Sequence, residues 1–401
     1  MIPLNLNYNY KDIFLAPRLA LSGKKIFLIL KGNLVGYIAY FLFSYVALIT
    51  NGMGIEKIVI NYGLYPYLIG HEAKWYSWVI YSTGVAIWLT ALLLSHSGVS
   101  RILLKQLKGN DFFSGRDGLQ FVFKHWHAII LTPITLFLII VLFLSLAFVF
   151  ALFGKIPLIG QVTFPLLYFF YFLGSSFVII SIFVFVNSIF HTPSIISIYE
   201  EDTMGSVFQI YSVTLSQPWR VATYNILLIL LLIICVEIFS WFCLNSIGLI
   251  TTIFGHDFFM GSQFALINKN ALSVVLPNNF LEILTYYKNF IFNYLLLESG
   301  IPVFFKTSLN YSNVEALSII GNISALLLSS VYFIIGLSII SYGFSILFVG
   351  QSLMFIVFKK LSDDDDVILR SDEDDEREDL IIQKKFESNL EKFSQNISKK
   401  E

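Results

Sequence analysis

The chain has 401 residues, 56% of them hydrophobic and 13% charged, against about 25% charged in a typical soluble domain. Lys and Arg number 26, Asp and Glu 27, and the mean hydropathy is +0.75. A soluble fold of this length has too little interior for that much apolar surface, so a soluble enzyme, a disordered chain and a nucleic-acid binder with a basic footprint are excluded. A polytopic, all-α membrane protein remains.

The N-terminus, Met-Ile-Pro-Leu-Asn-Leu-Asn-Tyr-Asn-Tyr, lacks the pattern of a cleavable signal. Insertion is therefore expected to begin with the first membrane helix. Lys11-Asp12-Ile13-Phe14-Leu15-Ala16-Pro17-Arg18 reads as an interfacial element, with Pro17 separating it from a helix that starts near Leu19. Lys24 and Lys25 are expected to face anionic headgroups.

A spanning helix needs roughly 20 mainly apolar residues, and six segments qualify. They are about Leu34–Thr50 (extendable to Ile26 with Lys31 snorkelling), Trp75–Ser97, Ile129–Phe153, Val162–Ile189, Val221–Ile250 and Ala316–Phe358. The last is too long for one straight crossing of a roughly 30 Å hydrocarbon core. It must project, tilt or break, and Gly336 and Gly343 are the weak points. Gly154 to Gly160, with Pro157 between, is a short connection that predicts an antiparallel hairpin of the third and fourth helices.

Positive charges set the expected orientation. Lys11, Arg18, Lys24, Lys25, Lys31, Arg101, Lys105, Lys108, Arg116, Lys124, Arg220 and nine Lys and Arg from Lys359 onward fall on one side, 20 in all. Lys57, Lys74, Lys155, Lys269, Lys288 and Lys306 fall on the other. Both termini are expected in the cytoplasm. Residues 1–127 carry a net +7 and the tail from Lys359 a net −5.

Two apolar stripes at helical spacing lie on the basic side. One is Leu119, Val122, Phe123 and Trp126; the other is Val207, Phe208, Tyr211 and Leu215, ahead of Pro218-Trp219-Arg220. They predict interfacial amphipathic helices on the cytoplasmic face, each closed by a Trp before a span. On the other side Thr251–Glu315 is too long to be structureless. Asn279–Glu298 reads as a helix on the outer leaflet or folded on the bundle, with a re-entrant hairpin ending at Gly300-Ile301-Pro302 as the alternative.

Glu237 is the acidic residue set deep in an apolar run. Intramembrane carboxylates are costly and default to a functional candidate, although Glu237 sits in the outward half of its helix. Gly321, Ala325 and Ser329, at spacing four, form a small-residue face for helix packing or a subunit interface; Ser338, Ser341 and Ser345 continue it. Glu200-Glu201-Asp202 suits the N-terminus of the following helix or pairing with the basic loop around Arg116. His125 and His127 flank Trp126 at a spacing that does not converge on a metal, and Cys235 and Cys243 read as packing thiols. No cofactor, metal or nucleic-acid partner is expected, and no catalytic motif is present.

The chain thus divides into a six-helix transmembrane domain, 1–358, and an acidic tail, 359–401. Asp363–Asp379 holds eleven acids in seventeen residues and is expected to stay disordered. Phe386, Leu390, Phe393 and Ile397 recur at helical spacing, a candidate stripe that folds on a partner.

The segment from Pro193 through Glu200-Glu201-Asp202-Thr203-Met204-Gly205 to Val207-Phe208, followed by Ser216-Gln217-Pro218-Trp219-Arg220, resembles a group of bacterial multi-pass proteins. These are similar to the membrane domain attached to some glycerophosphodiester phosphodiesterases. The resemblance implies a bacterial cytoplasmic membrane and the helical plan. It implies no phosphodiesterase activity, because no such domain follows. The functional expectation is a non-enzymatic scaffold or accessory subunit, meeting membrane lipids and either a protein partner or further copies of itself. The alternatives are a transporter or lipid-handling protein centred on Glu237, and an interfacial enzyme assembled from the basic loop and Glu200–Asp202.

Overall fold

The computed structural model describes residues 6–70, 72–157, 159–275 and 318–370. The predicted helix Asn279–Glu298 and the tail stripe of Phe386, Leu390, Phe393 and Ile397 lie outside those residues. Among the described residues every regular element is helical. A short 3-10 helix, Tyr10–Leu15, is followed by α1 (Ala16–Ala20), α2 (Gly23–Thr50), α3 (Ile55–Tyr62), α4 (Trp75–Leu107), α5 (Gly115–Gly154), α6 (Ile159–Tyr199), α7 (Thr203–Ser216), α8 (Pro218–Phe254), α9 (Ser262–Val275) and α10 (Ile319–Asp363). Six of these, α2, α4, α5, α6, α8 and α10, are long and apolar enough to cross a membrane. The protein is an all-α, multi-pass membrane protein.

Each long helix outruns the apolar segment that announces it, for identifiable local reasons. The stripe at Leu119–Trp126 and the span from Ile129 are one helix, α5. A capping box starts it: Ser114 Oγ accepts from the Asp117 amide at 3.3 Å, and the Ser114 amide donates to Asp117 Oδ2 at 2.9 Å. Pro218 opens α8, where its missing N–H and fixed φ cost nothing. Pro17 likewise lies in the first turn of α1 and starts it instead of breaking an element. α10 runs unbroken through Gly336 and Gly343, so its length is accommodated by projection or tilt. It ends at Asp363, five residues beyond the expected end of the span, and residues 364–370 are folded against the chain. Residues 359–363, the start of the acidic tail, thus continue α10.

The chain divides into two units. The first comprises residues 1–13, 100–225 and 350–401. In it α5 and α6 pair as the expected hairpin, with Phe143 on Phe177 (4.6 Å) and Phe137 on Phe185 (6.0 Å). α7 packs on both. The stripe on α7 splits: Val207 is buried together with Ile210 and Val213, while Phe208 and Leu215 are exposed. In α5 Val122 is buried with Phe121, whereas Phe123 and Trp126 face outward. Hydropathy does not distinguish a face turned to protein from one turned to lipid.

The second unit comprises residues 14–99 and 226–349. Here α2 and α4 approach closely over small residues. A Cβ at Gly36 would lie 2.4 Å from Trp88 Cδ1, and one at Gly84 would lie 2.7 Å from Phe43 Cβ. Trp88 Nε1 donates to Asn33 Oδ1 at 2.8 Å. The loop after α3 is held by tyrosine hydroxyls of α2: Tyr45 donates to the Gly63 carbonyl at 2.8 Å, and Tyr37 and Tyr40 donate to Leu64 and Pro66. Lys25, expected at the headgroups, is buried and donates to the Leu19 carbonyl at 2.9 Å. That carbonyl belongs to the end of α1, whose last C=O groups have no partner within the helix.

Candidate functional site

The polar interior of the first unit is built from three helical segments that are buried on all sides: 100–105 at the end of α4, 191–198 at the end of α6, and 350–359 in α10. A segment buried all round must put small or paired polar residues where helices meet. Ser100, Ser194 and Ser352 do this, one from each helix. Ser100 Oγ lies 2.7 Å from Ser352 Oγ, Ser194 Oγ lies 3.0 Å from Ser352 Oγ, and Ser100 and Ser194 are 3.4 Å apart.

Arg101, the next residue on α4, is fully buried. Its Nη2 lies 2.6 Å from Glu200 Oε1, with side-chain exposures of 0% and 7%. Its Nη1 donates to the Ser197 carbonyl at 3.1 Å, and its guanidinium lies 4.6 Å from the Phe121 ring centroid. An unpaired charge here would be very costly, and the pair is what makes the burial tolerable. Glu200 sits one residue past α6 with φ 57°, a left-handed conformation that a non-glycine residue adopts at some cost. The turn that ends α6 is thus shaped to deliver the carboxylate to Arg101. The acidic triplet then divides its duties: Asp202 Oδ1 accepts from the Gly205 amide at 2.8 Å and caps α7. Glu200 meets Arg101, not the loop around Arg116.

A second layer of contacts fixes the start of the tail. Tyr199 Oη donates to Asp365 Oδ2 at 2.6 Å, with Arg370 4.9 Å above the Tyr199 ring. Tyr8 Oη donates to Asp366 Oδ1 at 2.8 Å. Burial, and then the carboxylate of Asp366, push the Tyr8 hydroxyl well above the usual tyrosine range. Lys108 Nζ donates to the Arg370 carbonyl at 2.6 Å, and Val367 is buried. Gln351 Nε2 donates to Asn225 Oδ1 at 2.6 Å, and Gln217 Nε2 to the Phe358 carbonyl at 3.2 Å, tying α10 to the start of α8.

Of the residues singled out from the sequence, Glu200 belongs to this place, whereas Glu237, Cys235, Cys243, Gly321, Ala325 and Ser329 belong to the second unit. Glu237 is exposed on α8 and makes no ion pair or side-chain hydrogen bond among the described residues. Among the described residues no enclosed polar surroundings of the kind a coupling carboxylate requires are found there. Gly321, Ala325 and Ser329 all lie on one buried stripe of α10, the placement of a face packed within the chain. Cys235 and Cys243 are free thiols, partly buried. His125 Nδ1 lies 3.0 Å from the Phe121 carbonyl, and among the described residues no group of three His, Cys, Asp or Glu side chains is placed to hold a metal.

Sequence reasoning counted Arg101 as one of many topology charges and missed its pairing. The signals were there: Arg101 lies six residues inside the end of a largely apolar helix, and Glu200 follows directly on eight apolar or small residues. His191, also buried, points Nδ1 at the Asn187 carbonyl at 3.3 Å. Its Nε2 has no hydrogen-bond partner among the described residues. Chemically the arrangement is a lock: the charges of Arg101 and Glu200 meet each other, and the hydroxyls of Ser100, Ser194 and Ser352 meet each other. No protein family, curated protein or solved structure matches the chain.

Proposed function

We propose that this protein is a multi-pass scaffold or accessory subunit of a membrane complex, with no catalysis of its own. We place it in a bacterial cytoplasmic membrane with both termini on the cytoplasmic side, from the 20 to 6 division of Lys and Arg. The observation that carries the reading is the pinned root of the tail. Tyr8, Tyr199 and Lys108 hold residues 365–370 against the first unit, so everything beyond leaves from one fixed point. A tail launched from a rigid anchor suits presentation of the Phe386, Leu390, Phe393 and Ile397 stripe to a partner, because fixing one end lowers the entropy lost on binding. The buried charges support the same reading, since Arg101 and Glu200 are consumed by each other.

The test is cross-linking in native membranes followed by purification in mild detergent. A stable partner or a homo-oligomer is expected, and truncation after Arg370 should release it. A strictly monomeric protein with no cross-linked neighbour overturns the proposal. The transporter alternative rests on Glu237: loss of solute or lipid movement in Glu237→Gln, with partner recovery unchanged, would replace the scaffold reading.

A further inference from the structure

We propose that the acidic run Asp372–Asp379 docks on the basic face formed by Lys108 and the first turns of α5, so that the tail is itself the occupant of that surface. Position supports this first. The described chain ends beside Lys108, whose Nζ holds the Arg370 carbonyl at 2.6 Å. Asp372 follows two residues later, within about 7 Å of that carbonyl even when extended.

Charge and length agree with position. The run holds seven carboxylates and one Arg, a density that repels itself unless cations neutralise it. Arg116 and Lys124 are both exposed on α5. They lie two turns apart, about 12 Å along the axis, with exposed Gln120 midway between them. Eight extended residues reach roughly 27 Å, enough to pass both cations. Of the acids in the same stretch, Asp117 is engaged in the α5 cap.

Anionic headgroups attract the same cations. The tail has the advantage of its tether, which gives it an effective concentration in the millimolar range. Docking of the run removes the main objection to an acidic segment beside an anionic membrane. The inference holds whether or not the protein is a scaffold.

The test uses the full-length chain in nanodiscs of neutral lipid. Gln120→Cys and Arg377→Cys are introduced with Cys235→Ser and Cys243→Ser, so that every proposed charge partner is retained. An intramolecular disulfide is expected on mild oxidation at low salt. Its yield should fall on the order of five-fold in 1 M salt, where the Debye length is about 3 Å, and equally when the seven acids are changed to amides. A yield indifferent to both changes overturns the proposal, as does a disulfide formed only between two chains. Loss of the disulfide in nanodiscs of anionic lipid at the same ionic strength assigns the face to headgroups and overturns it too. Should the serine substitutions unfold the protein, amine acylation on the otherwise native chain decides. Neutralising the seven acids should raise labelling of Lys108 and Lys124 several-fold, and unchanged labelling refutes the docking.

Discussion

Glu200→Gln removes one charge from the buried pair and little else. The amide is nearly isosteric and keeps the side chain long enough to fill its place beside Arg101. Arg101 then remains fully buried without its counter-ion. Two unit charges about 4 Å apart attract by roughly 4 kcal/mol at an effective dielectric of about 20, and breaking a buried pair by removing one partner typically costs about 3–5 kcal/mol. With side-chain exposures of 0% and 7%, solvent screening gives little relief, so a loss of about 3–5 kcal/mol is expected. Equilibrium unfolding in mixed micelles measures it. Cys235 and Cys243, both partly buried, report unfolding through a thiol-reactive dye. Arg101→Met alone should cost a comparable amount, because Glu200 is then the stranded charge. The double variant should cost clearly less than the sum of the two. The reasoning is refuted if Glu200→Gln unfolds within about 0.5 kcal/mol of the native chain, the scatter of an ordinary surface substitution, or if the two losses simply add.

The root of the tail gives a second prediction. Tyr8→Phe with Tyr199→Phe removes two hydrogen bonds to carboxylates, each contributing about 1.5–3 kcal/mol, so hydrogen exchange over residues 363–370 should speed by at least ten-fold while the hairpin of α5 and α6 is unaffected. The Tyr8 hydroxyl donates only while protonated, and its folded-state pKa is raised. Its contribution is therefore complete below the unfolded value of about 10 and is lost as pH rises through the higher folded value, so proteolysis at the tail root should increase only in strong alkali. Gly36→Val must displace Trp88, whose Cδ1 would lie 2.4 Å from the new Cβ; overpacking of this kind costs about 1–3 kcal/mol and should lower the thermal midpoint in detergent. Asp202→Ala removes the α7 cap, at a cost of about 0.5–2 kcal/mol, visible as faster exchange at the amides of residues 203–206.

The spans were legible because hydropathy over twenty residues is a strong signal. Their ends were not, because helix termini are set by single caps and by what the next turn packs against. Ser114 and Asp117 carry α5 across a stretch that reads as loop and amphipathic stripe. Within the stripes the pattern announced helices, and the fold divides each stripe between a buried side and an outward one. Phe123 and Phe208 point outward because an apolar side chain has a favourable place in lipid as well as in protein. The polar core was the least legible part. Arg101 and Glu200 are 99 residues apart in sequence, and nothing local to either predicts the other. Glu237 drew notice for the opposite reason: its local sequence is conspicuous, yet it is exposed on α8.

Burial of Arg101 and Lys25 raises a question about the proposed topology, since both were counted among the 20 cations of one side. Cations orient helices during insertion, before tertiary partners exist. When α4 enters the membrane, Glu200 lies 99 residues further along the chain, so Arg101 acts on insertion as a free charge. Only after α6 is in place does the Glu200 carboxylate arrive and permit its burial. Lys25 differs in degree, because the Leu19 carbonyl that receives it is only six residues away and is present from the start. The topology reading therefore needs Arg101 as a cation and is indifferent to Glu200, while the folded core needs both. Glu200→Gln should weaken the fold without inverting the protein. Arg101→Met should weaken the fold equally and draw, in addition, on the charge bias around the connection of α4 to α5, where Lys105 of α4, Lys108 of the loop, and Arg116 and Lys124 of α5 still remain to hold the orientation.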